Sequence, residues 1–210
     1  MKNLFIIGAG GYGREVASYI KKSKNILDKF ILKGFLDKNL AALQGIVCPY
    51  RVIGTDAAYK FTEKDEVIIA IGSIEIKKKI VNQLKGCVKF FSFVSSEAFV
   101  GNNVELGEGV LICPGAKLPA NIKIGDFVSI NIDSRIGHDS VVGDFCSIMP
   151  NVDIGGECVI GKEVFLGTKS TVIPRLKLAD NIFVGAGAVV IKEIEESHGT
   201  YFGNPARRTF

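Results

Sequence analysis

From residue 94 onward an aliphatic side chain returns every six residues. It stands at Val94, Val100, Leu106, Ile112, Leu118, Ile124, Ile130, Ile136, Val142, Ile148, Ile154, Ile160, Leu166, Val172, Leu178, Val184 and Val190. The next residue is usually Gly, and the fifth position of each hexad is small or aliphatic, as at Ala116, Val128, Ser134, Ser140, Cys146, Val152 and Cys158. Six is neither the helical nor the strand period, so the repeating unit is larger than one element. A six-residue repeat predicts a parallel β-helix, in which short strands wind into a three-sided prism. Three hexads then complete a coil, and residues eighteen apart stack on one another. The first and fifth positions fill the interior and the others look outward. Gly, Asn and Asp suit the tight corners. The array has no insertion, so five to six coils and no long lid are expected.

Before residue 94 the period disappears and strand-like runs alternate with helix-like ones. Leu4-Phe5-Ile6-Ile7 is a buried strand, Arg14 to Lys22 a helix, and Phe30 to Asp37 contains a second strand. Val67 to Gly72 is a third strand, Glu75 to Leu84 a helix, and Val88 to Phe91 a short fourth strand. Such alternation predicts a parallel sheet covered on both faces. The expected organisation is an α/β, Rossmann-like half-domain at 1–93, a β-helix at 94–195 and a C-terminal tail at 196–210.

Composition narrows the partners. A formal net charge of +4 is mild, and the short run Lys77-Lys78-Lys79 reads as a solvated helix face, so nucleic acid is not expected. No segment approaches the roughly 20 apolar residues that span a bilayer, and Met1 to Gly8 meets glycine too soon for a signal peptide. The five cysteines contain no Cys-x-x-Cys pair, which fits a reduced, cytoplasmic chain. Cys146 and Cys158 occupy the inward fifth position, where a thiol is a small hydrophobe.

Two motifs carry candidate chemistry. Gly8-x-Gly10-x-x-Gly13 follows a strand and opens a helix, with Asp37 ending the next strand. In that context backbone amides and a helix N-terminus can face a phosphate, and the carboxylate can face ribose hydroxyls. The alternative is a tight turn without a ligand. Only one such half precedes the repeat, which favours a mononucleotide or nucleotide-sugar over a dinucleotide. His138, third in the hexad Ile136-Gly-His-Asp-Ser-Val, points outward beside Asp139, the pairing of a general base with its orienting acid. Its stacked neighbours are Ala120 and Gly156, which leave room for a reacting group, and the Gly156 amide is a possible oxyanion donor. A solvated surface histidine is the plainer alternative. His198 follows the repeat and reads as a tail residue.

Stacking also puts Phe127 above Phe145 and Phe165 above Phe183, all four expected on the face carrying Ile124, Val142, Ile160 and Leu178. The other two faces are expected to carry Lys123, Lys177, Glu97, Asp133, Asn151, Lys169 and Arg135. An aromatic stripe of that kind predicts an interface around a closed ring, most simply a trimer.

The hexad array, Gly137-His-Asp139 and the closing Phe202-Gly-Asn-Pro-Ala-Arg207 resemble the left-handed β-helix acyltransferases. With Ile6-Ile-Gly-Ala-Gly-Gly-Tyr-Gly-Arg-Glu15 and Ala70-Ile-Gly-Ser-Ile-Glu-Ile-Lys77, nearly the whole chain resembles sugar O- and N-acetyltransferases of the NeuD/PglD type. The resemblance implies a left-handed coil, a homotrimer with sites between subunits, acetyl-CoA as donor, and a nucleotide-sugar acceptor for surface polysaccharide or glycan synthesis. It implies no metal. His138 would be the general base and Asp139 its orienting acid; Asn131 would help place the sugar. Gly156 would touch the thioester oxygen. Gly167, Thr168, Gly185 and Ala186 would line the pantetheine path, and Arg207 and Arg208 would lie near the adenosine phosphates. Gly10, Gly11, Tyr12, Gly13, Asp37 and Gly72 would meet the nucleotide sugar. Tyr12 and Ser147 stand where some relatives of this type carry His, which leaves both N- and O-acetylation open.

Other functions fit less well. A β-helix carbonic anhydrase needs three histidines for zinc and this chain has two. A nucleotidyltransferase would need a longer N-terminal domain, and nothing in the repeat supplies hydride chemistry. A non-catalytic nucleotide-sugar-binding or structural β-helix remains the alternative to an enzyme.

Overall fold

In the computed structural model, which describes residues 1–209, the apolar run Leu4-Phe5-Ile6-Ile7 is the middle of a parallel sheet and is buried on both faces. The chain divides into two compact units, Met1–Ser95 and Ser96 onward. In the first, β1 (Lys2–Ile7), β2 (Phe30–Leu36), β3 (Val52–Gly54), β4 (Asp65–Ile69) and β5 (Lys89–Phe90) lie in the order β3-β2-β1-β4-β5, every pair parallel. The helices are α1 (Gly11–Lys22), the single turn α2 (Lys24–Leu27) and α3 (Ile74–Leu84). α1 buries Val16, Ala17 and Ile20, while α3 buries Val81, Leu84 and also Lys77, which is therefore not on the solvated face expected of the lysine run; α3 is capped by Ser73, whose Oγ accepts from Ile76 N. The strand order reverses at β1, which opens a crevice at the carboxyl ends of the strands.

Three details differ from the sequence expectation. α1 begins at Gly11, not after Gly13. A Cβ on Gly13 would lie 1.8 Å from Gly8 O, so the turn is tight enough for helical bonding to start at once, with Arg14 N donating to Gly10 O. α2 and the half-exposed β3 have too little apolar pattern to announce them. β4 starts at Asp65 and Glu66, both buried, because Asp65 accepts from Asn3 Nδ2 and from the backbone and hydroxyl of Thr62, and Glu66 pairs with Lys2 at 2.6 Å.

The second unit is a left-handed parallel β-helix. Its pairs advance by eighteen residues: Lys117 faces Arg135, Lys123 faces Val141 and Ser129 faces Ser147. The first face runs from Phe99–Asn102 through Lys117–Ala120, Arg135–Ile136, Asp153–Ile154 and Thr171–Val172 to Val189–Val190. The second runs from Glu105–Leu106 through Lys123–Ile124, Val141–Val142 and Val159–Ile160 to Lys177–Leu178. The third holds Leu111–Ile112, Ser129–Ile130, Ser147–Ile148, Phe165–Leu166 and Phe183–Val184. Thr200–Phe202 extends the third face in parallel, and Arg207–Arg208 returns antiparallel to it. From Val110 onward the hexad's first and fifth positions form a buried core, broken only by the half-buried Leu176, whereas Val100 in the first coil is 37% exposed.

Each corner contains a residue in the left-handed region, and these are not only Gly, Asn and Asp. Phe127, Phe145, Glu157, Glu163, Lys169 and Arg175 occupy it at φ between 55° and 66°. The N–H of each is tied to the coil below, as in Phe127 to Glu108 O at 2.7 Å and Glu157 to His138 O at 2.8 Å, which offsets the cost of that conformation.

The aromatic stripe is placed differently from the expectation. Phe127 and Phe145 stack at 5.1 Å on the corner between the second and third faces. Phe165 and Phe183 stack at 4.7 Å in strands of the third face itself. The hexad's last residue already belongs to the next face, which a count by hexads does not show. Lys123 and Lys177 accordingly lie on the second face, beside Ile124 and Leu178, and not on the other two.

Candidate active site

His138 and Asp139 sit on the corner where the first face turns into the second, just after the strand Arg135–Ile136. Asp139 takes the left-handed position at φ 59°, which turns its side chain back alongside the imidazole. His138 Nδ1 and Asp139 Oδ2 are 2.7 Å apart, and the two side chains are 60% and 49% exposed. The hydrogen bond from His138, and then that from Asn121 Nδ2 at 2.9 Å, hold the Asp139 carboxyl below the usual carboxylate range. Asp139 is therefore ionised throughout the range in which an imidazole titrates.

The imidazole lies over Gly156, one coil on. A Cβ there would stand 2.8 Å from His138 Nε2, so the ring itself fills part of the space that the small neighbour leaves. The Gly156 carbonyl accepts from Arg175 N, while its own N–H has no partner among the described residues. Ala120, on the other side, accepts from Asp139 N.

Asn131, Gly167 and Gly185 line a different corner, after the strands of the third face. Asn131 is 7% exposed, and its Oδ1 accepts from Ile132 N at 2.8 Å, which leaves Nδ2 as the donor. Gly167 and Gly185 stack closely: a Cβ on Gly167 would lie 2.6 Å from Ala186 N, and one on Gly185 would collide with the Phe202 ring. Thr168 O accepts from Gly187 N, and the Ala186 side is exposed. One prism thus holds the His138 group and the Asn131 group at opposite ends of its first face. Arg207 lines a cavity of about 340 Å³ with Ile191, Lys192, Tyr201 and Ala206, whereas Arg208 is paired with Glu196. His198 is exposed in the segment before the last hairpin.

In the first unit a cavity of about 360 Å³ lies at the carboxyl ends of the strands, between Gly8, Leu36, Asp37, Asp56, Ile71 and Lys79. Gly10 caps α1 without a side-chain hydrogen bond. Gly10, Gly11, Tyr12, Gly13 and Gly72 do not line the cavity. Asp37 does, but its two oxygens already accept from Ala9 N and Asn39 N, each at 2.8 Å. It fixes the glycine loop, and a ribose hydroxyl would be a further donor to it. Among the described residues, no three His, Cys, Asp or Glu side chains converge as a metal site, and no helix is long and apolar enough to cross a membrane.

The sequence reading passed over Asn121 and Asn103, which continue the Asp139 hydrogen bonding down the corner. Their spacing of eighteen was the available signal.

Comparison with known proteins agrees with both units. The profile of the PglD N-terminal domain matches residues 3–84, and that of the bacterial transferase hexapeptide (six repeats) matches residues 139–174. The acetyltransferase domain of PglB from Neisseria gonorrhoeae is similar over 100% of both chains, with 26% identity and a TM-score of 0.89. It is also known in complex with acetyl coenzyme A. WeeI from Acinetobacter baumannii has 29% identity and a TM-score of 0.86 over 100% of both chains. PerB from Caulobacter crescentus, solved with CoA and GDP-perosamine, has 25% identity and a TM-score of 0.86 over 100% of this chain and 98% of its own. No curated protein sequence matches the chain.

Proposed function

Because the chain is a hexapeptide-repeat acyltransferase of the PglD type, we propose that it moves an acetyl group from acetyl-CoA directly onto an amino or hydroxyl group of a nucleotide-linked sugar. His138 is the general base. The observation that carries this reading is the bond between His138 Nδ1 and the Asp139 carboxylate at 2.7 Å. With Nδ1–H donating to Asp139, Nε2 is the bare nitrogen and can take a proton.

The acceptor N–H or O–H gives its proton to Nε2 as its lone pair attacks the thioester carbonyl carbon. The resulting oxyanion needs a fixed donor, and the unpartnered N–H of Gly156, beside the imidazole, is a candidate. Collapse breaks the carbon–sulfur bond, and the proton on Nε2 passes to the departing CoA sulfur, so the imidazole ends neutral. No acyl-enzyme is required. Cys146 and Cys158 are buried, with Sγ directed at the carbonyls of Gly161 and Ile173.

The nucleotide takes the cavity beside Gly8 and Asp37, with phosphates toward the N-terminus of α1. Gly10, Gly11, Tyr12, Gly13 and Gly72 shape its approach. The PerB complex with CoA and GDP-perosamine and the PglB complex with acetyl coenzyme A support both ligands. The donor's pantetheine runs along Gly167, Thr168, Gly185 and Ala186, and its phosphates meet Arg207 and Arg208. Asn131 offers Nδ2 to a sugar hydroxyl. A homotrimer explains why the Asn131 and His138 groups lie at different corners, since an adjacent subunit can bring its own Asn131 corner to His138. The stacked Phe165 and Phe183, the latter 39% exposed, fit the same assembly. Nucleotide-sugar chemistry and free cysteines suit the cytoplasm.

CoA release in the presence of UDP-, GDP- and dTDP-linked sugars tests the reading. One acceptor should support turnover, and His138→Ala should lower kcat by about two to four orders of magnitude. Near-normal activity of the variant would reject His138 as the base, and a monomer by light scattering would reject the trimer.

A further inference from the structure

One residue from each coil stands on the corner that carries the base: Asn103, Asn121, Asp139, Glu157 and Arg175, at φ between 55° and 66°. Asn103 Nδ2 donates to Asn121 Oδ1 at 3.1 Å, and Asn121 Nδ2 donates to Asp139 Oδ1 at 2.9 Å. Asp139 keeps its other oxygen for His138 Nδ1. Side chains from three coils therefore form one run of hydrogen bonds that ends on the imidazole. Its polarity is set at the carboxylate end. An ionised carboxylate only accepts, so Asn121 turns its NH₂ to Asp139 and leaves its oxygen for Asn103.

Backbone conformation alone does not explain these residues. Asn tolerates the left-handed region, but Phe127, Phe145, Glu163 and Lys169 occupy it at the other two corners with φ between 55° and 61°. Nor do polar residues at stacked corners bond automatically. Asp133 and Asn151 stand one coil apart on the third corner and share no side-chain hydrogen bond. The exposed His138 and Asp139 have little packing to hold them. What fixes them is Gly156 under the ring and Asn121 behind the carboxylate.

We infer that Asn121, steadied by Asn103, is a positioning residue for acetyl transfer, holding Asp139 in the orientation that keeps the His138 proton on Nδ1. The inference rests on His138 being the general base, as proposed above. It adds a requirement from one and two coils away, on residues that touch neither substrate.

The tautomer can be read without a substrate. Imidazole ¹⁵N shifts of the full-length protein should show His138 with its proton on Nδ1, and His198, which has no carboxylate partner among the described residues, as the internal reference. His138→Ala assigns the signals. Asn121→Ala should move the His138 shifts toward those of His198 and lower kcat about tenfold, with the KM for acetyl-CoA unchanged, as expected when a reacting group is less well oriented. Asn121→Asp removes the same donor at nearly the same size, so it should act in the same direction on both readouts. The site is exposed and Asp, like Asn, tolerates the left-handed region, so the melting temperature of Asn121→Asp should not move. Wild-type tautomer and kcat in both variants would overturn the inference, as would a fall in kcat with the tautomer unchanged. Full activity of His138→Ala would instead overturn the base assignment, and the ¹⁵N shifts would still report on whether Asn121 sets the tautomer.

Discussion

Both units bury parallel strands, but they do so with different sequence resources. β1 has Leu4, Phe5, Ile6 and Ile7 buried in succession, and helices from elsewhere in the unit must cover both of its faces. In the β-helix most strands are two residues long, and one inward residue per strand packs against the residue eighteen positions on. The first arrangement depends on joining different elements, so its ligand crevice arises where strand order reverses. The second depends on counting, so inward and outward positions follow from the period. A cavity results in one case and an ordered column of side chains in the other. The proposed reaction uses the cavity to hold the nucleotide and the column to move the proton.

The largest effect expected from breaking the comparison is in the β-helix core. Leu166 is fully buried, stacked between Ile148 and Val184. Leu166→Ala should cost about 2–5 kcal/mol, because an interior built from single residues per coil has little freedom to collapse around the gap. Lys117 is an outward residue on the first face, and Lys117→Ala should stay within about 0.5 kcal/mol. Urea unfolding of the two variants measures the contrast, and equal losses would mean that inward and outward positions are not energetically distinct.

The next effect belongs to the α/β unit. A Cβ on Gly13 would overlap Gly8 O at 1.8 Å, whereas one on Gly10 meets nothing within 4 Å. Gly13→Ala should destabilise this unit by about 1–3 kcal/mol, as overpacking does, and weaken nucleotide binding. Binding of acetyl-CoA should persist, since its proposed path lies wholly in the β-helix. Gly10→Ala should be close to neutral for stability. Calorimetry with GDP, UDP and acetyl-CoA separates the cases, and equal loss of both kinds of ligand would show that the two units do not divide the binding in this way.

This asymmetry also explains what the sequence made legible. The hexad period was enough to place His138 outward beside Gly156 and Cys146 and Cys158 inside, because inward and outward follow from the count. It misplaced Phe165 and Phe183 because hexads and faces do not share boundaries: each strand straddles the end of one hexad and the start of the next. It passed over Asn121 because an apolar repeat says nothing about which polar corners bond across coils. In the first unit the glycine motif located the strand-to-helix turn, but it treated Gly10 and Gly13 alike. It also gave no sign that the Asp37 carboxylate holds Ala9 and Asn39, contacts that depend on how β1 and β2 lie together.

The smallest effect is expected from the cysteines, and it separates direct transfer from a covalent route. Burial pushes the Cys158 thiol above its ordinary range, so it remains protonated at neutral pH and is a poor nucleophile. Cys146 is buried in the equivalent inward position, while Cys87 in the first unit is exposed. Iodoacetamide at neutral pH should therefore modify Cys87 and leave Cys146 and Cys158 untouched in the folded protein, with acetyl transfer essentially unchanged. Peptide mass spectrometry after an acid quench during turnover gives the decisive reading. An acetyl group on Cys146 or Cys158 would require the prism to open and would replace direct transfer with an acyl-enzyme. Its absence at full turnover leaves the thioester carbonyl to be attacked by the acceptor itself, outside the prism, where the corner column holds His138.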